Sequence, residues 1–66
     1  MITAMVKMPD GKILNKILSK EANDITEAIL EGRVRRIMTD CVTLAFDDME
    51  ITAHAYNVVL KATDSQ

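Results

Sequence analysis

The chain has 66 residues, a net charge of −2 and 48% hydrophobic residues, with one Cys, one Phe, one Tyr and no Trp. A chain this short forms one small domain that buries about 60% of its unfolded surface. One thiol closes no internal disulfide and no charged-then-apolar leader opens the chain, so a cytoplasmic protein is expected in place of a secreted, stapled one. No apolar run reaches the roughly 18 to 20 residues that span a bilayer, and the negative balance argues against a dedicated nucleic-acid binder.

From the N-terminus, Pro9-Asp10-Gly11 separates two apolar-rich runs and carries turn chemistry. Proline presets the first turn angle, aspartate bonds back to the backbone, and glycine accepts a positive φ. A hairpin around this turn sets Met8 opposite Lys12, Val6 opposite Leu14 and Ile2 opposite Leu18. Ile13, Leu14, Ile17, Leu18 and Ala22 also follow helical spacing, so a helix over 12–22 competes with the second strand. Next, Asp24 and Glu27 form an N-terminal capping pattern, Ile25, Ala28 and Ile29 share one helical face, and Gly32 suits a left-handed stop, which predicts a helix from about Ile25 to Glu31.

Beyond Gly32 the pattern alternates. With Asp47-Asp48 as a two-residue turn, Phe46 faces Met49, Leu44 faces Ile51 and Val42 faces Ala53 on an apolar side. Ala45 with Glu50, Thr43 with Thr52 and Cys41 with His54 form a polar side. Extended outward, Ile37 meets Val58 and Arg35 meets Leu60, giving arms of about 14 residues and roughly 45 Å with a bulge near Asp40. A rival helix over 49–62, capped by Asp47 and Glu50, is disfavoured by its Ile, Thr, Tyr and Val-Val content. The expected fold is α+β: hairpin, helix, long hairpin, in a four-stranded antiparallel sheet with the helix on its apolar face. Residues 1–62 form the domain and 63–66 a frayed tail.

Three groups of residues are candidates for function. Cys41 and His54, directly opposed, form a possible reactive pair, because a histidine beside a thiol can lower its pKa. Asp40 falls on the opposite face by strand alternation and gives the pair no orienting partner, so no catalytic residue is assigned and a non-enzymatic protein is expected. One Cys and one His offer two ligands where structural zinc takes four, so neither a metal nor a cofactor is expected unless a symmetric dimer completes the set. Arg33, Arg35 and Arg36 form the densest positive patch, suited to an acidic protein surface or, as an alternative, to a nucleotide or nucleic acid, although aromatic stacking partners are scarce. Asp40, Asp47, Asp48 and Glu50 fit no calcium loop and read as solvated turn residues.

Ile37, Val58, Val59 and Leu60 lie on the part of the long hairpin that one helix leaves uncovered, an apolar surface suited to a homo-oligomer, most simply a dimer. Residues 1–36 hold seven basic and five acidic side chains and residues 37–66 one basic and five acidic, so two copies have complementary halves. These features point to a small binding or regulatory protein that occludes a macromolecular partner, as do accessory and inhibitor proteins of this size in phages and bacteria. A thiol-based sensor or enzyme using Cys41 and His54 is the third reading.

Overall fold

The computed structural model describes residues 1–63, which form β1 (Ile2–Lys7), β2 (Ile13–Ser19), α1 (Ile25–Leu30), β3 (Val34–Met38), β4 (Cys41–Ala45), β5 (Glu50–His54), a 3-10 turn (Ala55–Asn57) and β6 (Val58–Ala62). The strands make two three-stranded antiparallel sheets, in the orders β2-β1-β6 and β3-β4-β5, and the four-stranded sheet with a covering helix is not formed.

Two local events divide the expected long hairpin. The change of face near Asp40, which the alternation presents as a bulge, is a chain reversal, and Val34 returns opposite Leu44, Arg35 opposite Thr43 and Arg36 opposite Val42. After His54 the 3-10 turn redirects the chain, and β6 leaves β5 to pair with β1 from Ile2 opposite Ala62 to Val6 opposite Val58. The physical reason is coverage. A helix of six residues that fully buries only Ala28 shields little of a sheet, whereas two sheets facing each other shelter both apolar faces. The buried apolar set accordingly draws Ile2, Ala4, Val6 and Leu18 from one sheet and Leu44 and Phe46 from the other strand system, with Ala22 and Ala28 at the helical end.

Local chemistry explains the parts that follow the sequence pattern. In the first hairpin Gly11 takes φ +88°, its N–H donates to the Met8 carbonyl (2.9 Å), and the Lys12 N–H donates to Asp10 Oδ1 (3.0 Å). This is a type I turn closed by glycine, and it settles 13–19 as strand instead of helix. Val6 faces Leu14 as expected, but the register slips between Ile2 and Thr3, so Ile2 faces Ser19. The slip turns Leu18 and Ser19 inward together. Ser19 tolerates burial because its hydroxyl donates to Glu31 Oε1 (2.7 Å) and accepts from the Ala22 N–H (3.0 Å).

Helix α1 begins where Asp24 Oδ1 accepts from the Glu27 N–H (2.8 Å) and Glu27 Oε1 accepts from the Asn23 N–H (2.7 Å). It ends with Gly32 at φ +80°, the Gly32 N–H bonded to the Ile29 carbonyl and the Arg33 N–H to the Ala28 carbonyl, a full Schellman motif. Ile29, expected on the inner face, is half exposed. The β4–β5 hairpin pairs as its alternation predicts, from Ala45 opposite Glu50 to Cys41 opposite His54, with Phe46 and Met49 closing the turn. Thr43, on the polar side, is nevertheless buried. It bonds Thr52 Oγ1 (2.8 Å), and Arg35 reaches across β4 from β3 to Glu50 on β5 (2.9 Å). Of the expected tail, Thr63 is tied to Met1, donating its N–H to the Met1 carbonyl (2.9 Å), and residues 64–66 lie outside the described residues.

Candidate functional site

The β4–β5 register delivers Cys41 and His54 to the same side of the sheet, with Sγ 3.8 Å from His54 Nδ1. Asp40 joins them, which strand alternation does not foresee. Because Asp40 sits in the β3–β4 reversal and not in a strand, the two-residue period does not govern its direction. Its Oδ1 lies 3.7 Å from Cys41 Sγ and its Oδ2 3.6 Å from His54 Nδ1. The Ala55 N–H donates to the Asp40 carbonyl (2.8 Å), fixing the reversal to the start of the 3-10 turn, and Tyr56 stacks on the His54 ring at 5.2 Å between centroids.

This arrangement opposes thiol activation. Partial desolvation pushes the Cys41 thiol above its ordinary pKa, and the Asp40 carboxylate adds to the shift by charge and by accepting its proton's hydrogen bond. The expected pair is thus brought together, with the Asp40 carboxylate acting against formation of the thiolate that is the nucleophile.

No protein-family model, curated protein or solved structure matches this chain. Its functional reading therefore rests on which side chains the fold leaves free and which it engages.

The arginine cluster is largely engaged. Arg33 Nη1 contacts Asp47 Oδ1 (2.9 Å) and donates to the Ala45 carbonyl (3.2 Å), and Arg35 is held by Glu50. Only Arg36 has no ion pair among the described residues. Lys16 Nζ bonds both carboxylate oxygens of Asp48 (2.7 and 2.8 Å) and sits over the Phe46 ring. The Lys16 bond, ahead of a smaller opposing desolvation, holds the Asp48 carboxyl below its ordinary pKa. All three pairs join the basic first half of the chain to the acidic second half, so the charge asymmetry is spent inside one molecule. Asp47, Asp48 and Glu50 are thus ion-pair partners.

The expected oligomer surface is also rearranged. Val58 and Leu60 pack against the shared core, Val59 faces outward, and the side chain of Ile37 lies outside the described residues. A different apolar face emerges on β2-β1-β6. Since Ile2, Ala4 and Val6 point inward, Met5 and Lys7 point outward, flanked in register by Ile13 and by Val59, with Ile17 and Lys61 beside Thr3. Strand alternation foretells the Ile13/Ile17 side of this face, but the β1–β6 pairing that completes it joins residues too far apart in sequence to be read locally. A cleft of about 470 Å³ lies between the first hairpin and the end of β5, with Val6, Met8, Ile51 and Ala53 as apolar lining and His54 and Tyr56 at its polar side. No helix among the described residues is long and apolar enough to cross a membrane.

Proposed function

We propose that the protein is a small binding module that covers the acidic surface of a macromolecular partner with the outer face of β2-β1-β6. The observation that carries this reading is the composition of that face. Met5, Ile13, Ile17 and Val59 are 44%, 56%, 44% and 60% exposed, and the charged side chains among its outward strand positions are Lys7 and Lys61. Four large apolar side chains on one sheet face are more than the scattered singles usual on a soluble surface. A two-fold pairing of this face with itself sets lysines against lysines, which disfavours a second copy as occupant and favours a partner with an apolar centre and an acidic rim.

The test compares affinity capture by the wild-type chain with capture by Lys7→Glu/Lys61→Glu and by Arg33→Ala/Arg35→Ala/Arg36→Ala. The reading expects an acidic protein retained by the wild type and the arginine variant and lost from the lysine variant. Capture that depends on the arginines, or that disappears after nuclease treatment, contradicts it. Light scattering that shows a dimer dispersed by Met5→Glu contradicts it as well.

A further inference from the structure

We propose that Asp40, Cys41 and His54 form a mononuclear site for a borderline divalent metal ion, Zn2+ in the first place, with three protein donors and an open fourth position. The three side chains each bring one donor atom, a sulfur, an imidazole nitrogen and a carboxylate oxygen, and these lie within 4.8 Å of one another. Their separations of 3.8 Å (Sγ to Nδ1), 3.7 Å (Sγ to Oδ1) and 3.6 Å (Nδ1 to Oδ2) are informative in themselves. The imidazole and carboxylate are too far apart for a good N–H···O hydrogen bond, which needs about 2.7–3.2 Å. Around a tetrahedral Zn2+, bonds of about 2.3 Å to sulfur and about 2.0–2.1 Å to nitrogen or oxygen place donors about 3.3–3.6 Å apart. The two carboxylate distances run to different oxygens, so the set closes around one ion by rotation of the exposed Asp40 side chain, which draws donors lying within 4.8 Å of one another in by about an ångström.

The donor set also selects the ion. Sulfur and imidazole suit Zn2+ and Co2+ and are poor ligands for Mg2+ or Ca2+, which take oxygen. Binding displaces the thiol proton to solvent as the metal–sulfur bond forms, and the resulting thiolate and carboxylate together balance the charge of the ion. The scaffold holds the donors in place: Cys41 and His54 are a strand pair, Asp40 is pinned through its own carbonyl by Ala55, and Tyr56 braces the imidazole. The Asp40 and His54 side chains are 69% and 48% exposed, which gives the ion a path in and leaves a coordination position for water or an added ligand. This count of three, with a mixed donor set, is the pattern of zinc sites that keep an open position.

The test uses the full chain stripped with a chelator and titrated with Co2+, then with Zn2+ in competition. The expected result is one Co2+ per chain, a near-ultraviolet sulfur-to-cobalt charge-transfer band, tetrahedral visible bands, and displacement of all of them by Zn2+. Cys41→Ser should abolish the charge-transfer band, and His54→Ala and Asp40→Asn should each weaken binding by about tenfold or more. Glu50→Gln, which removes an acid at the far end of β5, opposite Ala45, should leave binding unchanged. Circular dichroism confirms that each variant is folded, and the wild-type spectrum reads the site without any variant. Absence of Co2+ uptake, uptake without the charge-transfer band, undiminished binding by His54→Ala or Asp40→Asn, or one ion per two chains overturns the proposal.

Discussion

Leu44→Ala is the sharpest test of the two-sheet core. Leu44 is 0% exposed on the central strand of its sheet, opposite Val34 on one side and Ile51 on the other. Truncating a buried leucine costs about 2–5 kcal/mol, depending on how far the surroundings collapse into the space left. Here the collapse is limited, because Leu44 sits in a hydrogen-bonded central strand and three of its seven buried apolar companions are alanines, Ala4, Ala22 and Ala28, with little side chain to rearrange. The expected loss is therefore in the upper part of the range, about 3–5 kcal/mol. A chain of this length has a total stability of only about 3–10 kcal/mol at 0.05–0.15 kcal/mol per residue. Urea titration followed by far-ultraviolet circular dichroism should show the midpoint falling by a third or more, and thermal melting should fall by well over 8 °C at about 4–8 °C per kcal/mol. Leu30→Ala, at a position 81% exposed on α1, is the control and should cost under about 0.5 kcal/mol. A Leu44→Ala loss below about 1 kcal/mol, or equal losses at both positions, would refute the placement of the core.

Three further outcomes are expected. In metal-free protein Cys41 should alkylate more slowly near neutral pH than a free thiol, and Asp40→Asn should speed it, because the carboxylate helps to hold the thiol protonated; a pH–rate profile checks both. Asp48, whose folded pKa is lowered chiefly by the Lys16 hydrogen bond, contributes stability above its unfolded pKa that is lost as pH falls through the folded one. Asp48→Asn should thus lower the melting temperature near pH 7 and converge with the wild type in strong acid, and a gap that widens in acid would contradict the pair. Met5→Cys/Val59→Cys in a Cys41→Ser background should oxidise to an intramolecular disulfide, since the two positions are paired across β1 and β6. Mass spectrometry showing only intermolecular links would refute that pairing.

The legible parts of the fold are those whose cause is local. Gly11, the Asp24/Glu27 cap, Gly32 and the alternation from Cys41 to His54 each act over a few residues, and each is realised in the structure. The division into two sheets was not legible, because it depends on competition between two uses of β6. Continuing against residues 35–37 satisfies the alternation, whereas pairing with β1 buries Val58 and Leu60 over the shared core, and that advantage appears only when the whole chain is assembled. The candidate site divides in the same way. The Cys41/His54 contact follows from register, but Asp40 is displaced from its strand parity by a reversal that resembles a bulge in sequence. The arginines illustrate a third limit: RVRR announces a basic patch, yet Asp47 and Glu50, which engage two of its members, arrive from another turn and strand.

The tie between Met1 and Thr63, 62 positions apart, places the two ends of the described chain side by side in one sheet. In kinetic terms, β1 is the central strand of its sheet and one of its two neighbours comes from the far end of the sequence. The hairpins β1–β2 and β4–β5 close small loops and form early, while the β1–β6 ladder closes a loop of nearly the whole chain and carries the larger entropic cost. The meeting of the ends should therefore be the slow event of folding. Stopped-flow refolding should be slowed by Val58→Ala, which weakens that ladder, and also by Ile51→Ala, in a hairpin already formed when the ends meet, with little change in either unfolding rate. Joining the two ends by a short linker should speed folding by turning its most distant contact into a local one, and an unchanged rate in the circularised chain would place the barrier elsewhere.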